Sequence, residues 1–242
     1  GLGRATRLLG HLALTEKEYE ATIRLGATTL TDDLDGDVLE RRSAAAVEAD
    51  DVRTGVAALT GDLLQVPSAV SAVKVEGRRA YARVRAGEEV ALSARPVRVT
   101  AFEVRRLRRP EPDLLDVDVR VVCSSGTYVR ALARDLGAGL GVGGHLTALR
   151  RTRVGPFAIG SARTLEQLAG ALDVLPLAAA VDAAFPRVDV GEEQAAGVRH
   201  GRPLPLPEGE PTGPCGVFGP DGAVLALMVA RGPVLRPLVV FA

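Results

Sequence analysis

The sequence has very few aromatic side chains: among 242 residues it contains no tryptophan, three tyrosines and five phenylalanines. Nearly half of the residues are nevertheless apolar. A chain of this length can bury a sizeable core, and here that core must be built from Leu, Val and Ala. The tyrosines are then available for other roles, so their positions are informative about function.

Cysteine is also scarce. Cys123 and Cys215 lie far apart, and the chain does not open with the apolar segment of a secretory signal. This argues against a disulfide framework and for a reducing compartment, which we take to be the cytoplasm. The longest apolar runs, such as residues 223–230, are far shorter than the roughly 20 residues that cross a bilayer, so we expect no membrane segment.

An excess of charge of one sign is lacking as well, because the formal net charge is zero. Taken alone, this argues against nucleic-acid binding. The charges are unevenly distributed, however: residues 74–109 contain about eleven basic and four acidic side chains, whereas residues 31–51 are dominated by Asp and Glu. A local basic stretch can contact phosphates in a neutral protein, although a solvated charged surface explains it equally well.

Hydrophobic periodicity predicts a mixture of strands and helices. Residues 18–25 alternate between apolar and polar side chains, which is typical of a half-buried strand with Tyr19 on its apolar face. Thr164 and Gln167 fit a capping box at the start of a helix. Further elements are predicted as helices at 46–59 and 128–136 and as strands at 97–107 and 114–122.

Short strands separated by Gly and Pro turns follow a boundary near Arg187, and residues 219–222 read as a hairpin turn. We therefore expect two domains, a main one over residues 1–186 and a small β-rich one over residues 187–242. The chain begins at Gly1 with what reads as the end of a helix, so we expect the start to be an interior point of a longer protein.

Two sequence patterns suggest cofactor sites that their context does not support. Residues 139–144 match G-x-G-x-x-G, the fingerprint of a dinucleotide-binding oxidoreductase, but a helix precedes them where that fingerprint requires a strand. A helix-terminating loop explains these glycines better. The histidines His11, His145 and His200 lie far apart, so we expect no metal site.

A more informative segment is residues 123–130, which place Tyr128 and Arg130 where a buried strand turns into a helix. Functional sites are often built at such junctions. From the residues alone, Arg130 is either functional or an ordinary partner of Asp135 or solvent. Tyr19 is likewise either functional or a core tyrosine.

Five motifs in this order resemble one family, the TruB-type tRNA pseudouridine synthases of bacteria, over residues 1–157. They are Lys17-Glu18-Tyr19 with Arg24-Leu25-Gly26; Asp33-Leu34-Asp35-Gly36; Gln65-Val66-Pro67-Ser68 with Ser71-Ala72-Val73-Lys74; Cys123 to Arg130 with Asp135-Leu136-Gly137; and Gly144-His145-Leu146 with Leu149-Arg150-Arg151. Together these motifs are far more specific than any one of them.

The resemblance implies an α+β fold, in which helices flank a central mixed, mainly antiparallel sheet and a small β-rich PUA-like domain follows. It implies an isomerase that converts uridine 55 in the T-loop of tRNA to pseudouridine by base flipping and C-glycoside formation, acting as a monomer without a cofactor. Tyr19 would stack on the flipped uracil, Arg130 would pair with the nucleophilic aspartate, and Tyr128 and Leu149 would line the base pocket. The RNA-binding residues would be those of a thumb at about 66–95 and of a later strand: Lys74, Arg78, Arg79, Arg85, Arg150 and Arg151.

The chain departs from the family pattern in one important respect. The Gly-x-Leu-Asp-Pro nucleophile loop of the family would lie upstream of Gly1 and is not among these residues. Asp32, Asp33 and Asp35 match a different loop, expected to be peripheral, and are not expected to be the nucleophile. An alternative function is therefore a non-catalytic module that binds tRNA or assists its folding.

Overall fold

The computed structural model describes residues 1–13, 15–68, 92–207, 209, 211 and 213–241, and only the backbone of 74–75 and 78–79 between them. A 3₁₀ helix at Gly3–Leu8 opens the chain. The helices are α1 (Leu9–Leu12), α2 (Ala49–Ala58), α3 (Val129–Gly139), α4 (Leu165–Gly170), α5 (Leu177–Ala184) and α6 (Glu192–Arg199).

The strands fall into a long set before residue 155 and a shorter set after it. They are β1 (Lys17–Leu25), β2 (Ala27–Thr29), β3 (Val38–Arg41), β4 (Gly61–Gln65), β5 (Lys74–Val75), β6 (Arg78–Arg79), β7 (Arg95–Arg108), β8 (Leu115–Cys123), β9 (Gly144–Val154), β10 (Phe157–Ala158), β11 (Arg187–Asp189), β12 (Leu204–Pro205), β13 (Cys215–Phe218), β14 (Val224–Arg231) and β15 (Val234–Val240).

The chain divides into two compact units, Thr15–Val154 and a second unit made of Gly1–Leu14 with Gly155–Ala242. In the first unit the sheet order is β9-β1-β8-β7-β4. β1 is an inner strand of this sheet and pairs antiparallel with β8 and β9. The α+β fold with a mainly antiparallel sheet is confirmed. The domain division at residue 186 stays a prediction.

One face of this sheet is apolar and is covered by helices. Ile23 and Leu25 of β1 are fully buried there, in one core cluster with Leu132 and Leu136 of α3 and with residues of α2. Burying such side chains stabilises the unit by roughly 1.5–3 kcal/mol each. Tyr19 packs at the edge of the same cluster, so the alternation predicted for this strand is confirmed.

The opposite face of the sheet is charged, and its ion pairs run across strands. Arg120 of β8 contacts Glu18 of β1 at 2.5 Å and Glu103 of β7 at 3.0 Å. Arg24 of β1 pairs with the buried Asp116 of β8 at 2.7 Å. These cross-strand pairs fix the register on a face where apolar packing does not.

The second unit has a five-stranded sheet in the order β11-β13-β14-β15-β12. The hairpin turn predicted at residues 219–222 is present, with the Gly219 N–H donating to the Ala223 carbonyl at 2.9 Å. The capping box at Thr164 and Gln167 is also confirmed. Within the described residues, no helix is both long and apolar enough to traverse a lipid bilayer.

Candidate functional site

The start of α3 is where the sequence predicts a site, and its backbone geometry explains why a helix begins there. β8 ends at Cys123, and the chain turns through Gly126 at φ +88°, a left-handed conformation that favours glycine. Tyr128 then precedes the first helical residue in extended conformation. Arg130 lies in the first turn of α3, with its side chain 24 % exposed.

Arg130 forms an ion pair with the acidic turn that follows β2. Its Nη1 donates to Asp33 Oδ2 at 2.9 Å and to the Thr31 carbonyl at 3.0 Å. Asp135, which sequence reasoning offered as the ordinary partner of this arginine, pairs with Arg134 instead. The expectation that the acidic turn is peripheral is wrong, since tertiary folding brings it against the helix start.

The acidic turn is held in one conformation by its own polar groups. The Thr31 hydroxyl and the Asp35 N–H both donate to Asp33 Oδ1, which leaves Oδ2 directed at Arg130. Asp32 adopts φ 59°, unusual for a residue with a side chain, and its carbonyl accepts from the Leu146 N–H at 3.0 Å. Such backbone strain at a non-glycine residue is often found at functional sites.

Arg130 and Asp33 line a cleft of about 310 Å³ together with Leu149, a sequence-predicted pocket residue. Leu149 is 49 % exposed although it is large and apolar. The other lining residues are Leu34, Asp35, Leu146, Thr147 and Ala148. The cleft thus combines a charged pair with an apolar wall, a composition typical of small-molecule sites.

Tyr19 lies on the same face of the sheet as α3 and this cleft, one strand away from Leu149. In the register of β1 and β9, Ala21 is opposite Leu149 and Tyr19 is opposite Arg151. Burial raises the pKa of the Tyr19 phenol, while a hydrogen bond with Arg151 lowers it. The half-buried ring is therefore neutral at physiological pH and held at the end of the apolar face.

Two bulges in β9 decide which way its basic side chains point. The pairing of β1 with β9 shifts register between Glu18 and Tyr19 and again between Thr22 and Ile23. A shift of one residue moves the following side chains to the other face. Consequently Arg151 joins Tyr19 on the core face, whereas Arg150 lies opposite Glu20 on the charged face. The two arginines, predicted together to bind RNA, point to opposite sides of the sheet.

The remaining predicted RNA-binding residues belong to the thumb. Lys74 pairs with Arg79, and Val75 with Arg78, in the two-stranded ladder of β5 and β6. Their side chains, and all of Arg85, lie outside the described residues.

Sequence reasoning gave no role to Gln65, the last residue of β4, which contacts the predicted site. Gln65 is buried, and its amide exchanges two hydrogen bonds with the backbone of Tyr128. Nearly two turns further along α3, Arg134 donates to the Val66 carbonyl at 2.8 Å. The sequence signal for this residue was its place at the start of the motif Gln65-Val66-Pro67-Ser68.

The glycines of residues 139–144 end α3 and lead into β9, so the prediction of a helix-terminating loop is confirmed. In the part of the chain that the structure describes, no group of three or more His, Cys, Asp or Glu side chains could hold a metal ion.

Comparison with known families agrees with this geometry. Residues 1–129, over half of the chain, match the model of the TruB family pseudouridylate synthase N-terminal domain. The chain belongs to the TruB family. Residues 130–177 match the tRNA pseudouridylate synthase B C-terminal domain, and residues 185–242 match the C-terminal domain of tRNA pseudouridine synthase II.

Curated members of the TruB family are similar over the whole chain. A tRNA pseudouridine synthase B of Thermobifida fusca is 58 % identical over 245 residues, covering 100 % of this chain and 83 % of that protein. The protein of the same name from Streptomyces griseus is 54 % identical over 246 residues, with 100 % and 82 % covered. The resemblance inferred from the motifs is thereby confirmed.

Solved structures show that the fold is shared more widely. A chain in an H/ACA RNP bound to a substrate RNA containing 2'-deoxyuridine superposes with a TM-score of 0.72 at 24 % identity, covering 100 % of this chain and 71 % of that one. A chain in an archaeal box H/ACA sRNP complex gives a TM-score of 0.68 at 24 % identity, with the same coverage. The pseudouridine-synthase fold is confirmed by these neighbours.

Proposed function

We propose that this chain supplies the base pocket of a tRNA pseudouridine synthase that acts on uridine 55 of the T-loop. The observation that supports this most is the cleft in which the Arg130–Asp33 pair lies beside the half-exposed Leu149. Tyr19 is on the same face of the sheet, at the strand next to Leu149. This arrangement, in a member of the TruB family, suits a flipped pyrimidine.

The proposed reaction begins with extrusion of the base. An aromatic platform and apolar walls offset the stacking that the base loses when it leaves the T-loop. In the proposal Tyr19 provides the platform, while Leu149 and Tyr128 provide the walls. The bond from N1 to C1' then breaks, the uracil rotates, and a bond from C5 to C1' forms. C5 loses its proton and N1 gains one, so no outside reactant is needed.

Arg130 is proposed to orient the nucleophilic carboxylate and to keep it ionised. A guanidinium placed beside a carboxylate favours the charged form, which is the nucleophilic one. Asp33 is a poor candidate for the nucleophile because both of its oxygens already accept hydrogen bonds within the turn and from Arg130. We assign to Asp33 the role of holding the arginine in place.

Partners and location follow from the same proposal. The thumb residues Lys74, Arg78, Arg79 and Arg85 would contact phosphates of the tRNA elbow. Arg151, next to Tyr19, would contact the nucleotide near the flipped base, and Arg150 a different part of the RNA. We propose that the protein acts as a monomer in the cytoplasm, where its two buried free cysteines stay reduced.

A second candidate function is a tRNA-binding or tRNA-folding module without catalysis. Such a module would need only the cleft and the basic side chains of residues 1–242, without a nucleophile. The two functions differ in whether the C5 proton is ever released.

Tritium release from a T-arm RNA labelled at C5 of uridine 55 separates them. We expect residues 1–242 to bind this RNA without releasing tritium, and a chain in which a segment with the Gly-x-Leu-Asp-Pro motif precedes Gly1 to release it. Hereafter this second protein is the motif-bearing chain. Binding without release by both proteins supports the module, and absence of binding by both contradicts both functions. An RNA with cytidine at position 55 serves as the control for position.

A further inference from the structure

Gln65 makes a pair of hydrogen bonds that no role assigned so far explains. Its Oε1 accepts from the Tyr128 N–H at 2.8 Å, and its Nε2 donates to the Tyr128 carbonyl at 3.1 Å. The side chain is 3 % exposed, so water does not compete for these groups. The two residues are 63 positions apart in sequence, and the contact is therefore a tertiary one.

The contact between Gln65 and Tyr128 lies at the start of α3, close to Arg130. Tyr128 is the residue before the first turn of α3, and its own side chain makes no capping hydrogen bond. The first N–H groups of a helix need partners from elsewhere, and here a side chain from β4 supplements the turn at the helix start. Arg130 follows two residues later, so the Gln65 amide fixes the backbone from which the guanidinium projects.

A second contact of the same segment supports this reading. The Val66 carbonyl, next to Gln65, accepts from Arg134 Nη2 at 2.8 Å, and Arg134 also approaches Asp32 at 3.6 Å. Residues 65–66, where β4 leads into the thumb segment, are thus joined to α3 at Tyr128 and at Arg134, which are nearly two helical turns apart. Arg130, between them, reaches the acidic turn to which Asp32 belongs.

We propose that Gln65 is a positioning residue for the isomerisation: it holds the start of α3 so that Arg130 is aligned with the acidic turn and the cleft. The inference rests on the proposed function of Arg130. Gln65 does not line the cleft, and it acts on the chemical step through the backbone of Tyr128. Gln65 is the last residue of β4, after which the thumb segment begins. Its hydrogen bonds to Tyr128 therefore connect the end of β4 to the helix turn that carries Arg130.

The test replaces Gln65 by methionine, which has a similar length but neither donates nor accepts in the same way. In the motif-bearing chain, Gln65→Met is expected to lower kcat for tritium release by about 100-fold, the loss typical of a misplacement of about 1 Å. The Kd for the T-arm RNA should change less than about threefold. The matched control is Gln194→Met, on the exposed side of α6, which should leave both quantities unchanged.

An independent readout does not need catalysis. In residues 1–242, Gln65→Met should speed amide hydrogen exchange in residues 124–132 and leave exchange in residues 144–154 unchanged. If Gln65→Met does not fold, Gln65→Glu is used instead, since it keeps the acceptor for the Tyr128 N–H and loses the donor to its carbonyl.

The outcomes separate the two claims. A wild-type motif-bearing chain without tritium release contradicts the proposed function, and unchanged exchange in residues 124–132 then contradicts the positioning role as well. An active wild type with a Gln65→Met kcat within threefold of its own overturns the inference and leaves the function standing. An equal loss in kcat and in RNA affinity also overturns it, because a general structural defect would act on both.

Discussion

Replacement of Arg130 by alanine should abolish most of the activity while the protein remains folded. The hydrogen bonds of the guanidinium include one of 2.9 Å to Asp33 Oδ2 and one of 3.0 Å to the Thr31 carbonyl. Asp33 keeps its bonds from Thr31 and Asp35 in the variant. The loss of stability should therefore be about 2 kcal/mol, which lowers Tm by about 4–8 °C in a protein of this size.

The loss of rate should be much larger than the loss of stability. Removing one preorganised donor from a catalytic site typically lowers kcat by about 10²–10³-fold. The substitution Arg130→Ala also removes a positive charge beside the nucleophilic carboxylate. In the motif-bearing chain we expect kcat for tritium release to fall by about 10³-fold, with the Kd of the T-arm RNA nearly unchanged. This pattern identifies an interaction that matters mainly in the transition state.

The matched control is Arg53→Ala, which removes an exposed arginine from α2 that is paired with Asp50 at 2.6 Å. This variant should retain wild-type kcat and Tm. Retention of more than a tenth of wild-type kcat by Arg130→Ala would refute the assignment of the cleft as the catalytic site.

Three further predictions follow from individual contacts. Asp33→Asn should lower kcat in the tritium assay by about 100-fold, because the charge that orients Arg130 is lost. Asp35→Asn should leave kcat unchanged, because the backbone N–H of residue 35 still donates to Asp33. Equal effects of the two substitutions would contradict the role of Asp33. Arg151→Ala should weaken binding of the T-arm RNA and reduce the dependence of that binding on salt. The RNA footprint of Arg151→Ala should differ from that of Arg150→Ala, since the two side chains lie on opposite faces of the sheet. Identical footprints would contradict the placement of these side chains on opposite faces. The hydrogen bond from Arg120 lowers the pKa of the Glu18 carboxyl below its ordinary value of 4.5, so its contribution to stability is present above that pH and is lost as pH falls through the lowered pKa. Glu18→Gln should thus cost about 1 kcal/mol at pH 7 and progressively less as the pH falls below 4.5 in urea unfolding, and a difference that does not change with pH would count against the pair.

The central strands of the fold were predictable because each has one buried face. The alternation from Glu18 to Leu25 reproduces the burial pattern of β1 closely. The helix at the end of residues 123–130 was predictable for the same reason, since Leu132 and Leu136 recur on one side of α3.

β9 was not predicted, and the reason is visible in its register. Its two bulges break the alternation at Thr147 and Thr152, so residues 144–154 show no period of two over their full length. The same bulges place Leu149 and Arg151 on the core face. The local sequence around these residues does not show which face they occupy, because the position of a bulge cannot be read from it.

The site was predictable only in part. Tyr19 and Arg130 were identified from the motifs, and the structure places both on one face of the sheet. The contact of Arg130 with Asp33 spans 97 positions, and that of Gln65 with Tyr128 spans 63. Neither pair lies within one element, so no local pattern could reveal them. Both depend on how the turn after β2 and the end of β4 meet the start of α3.

The central claim is that an extruded uracil occupies the cleft between Leu149 and Arg130, with Tyr19 against its ring. A crystal structure of residues 1–242 with an unlabelled T-arm RNA tests it most directly. We predict that the base of uridine 55 is flipped out of the T-loop, contacts the Tyr19 ring and lies within hydrogen-bonding distance of Arg130. A complex in which this base stays stacked in the loop, or binds on the charged face of the sheet beside Glu20 and Arg150, would contradict the account.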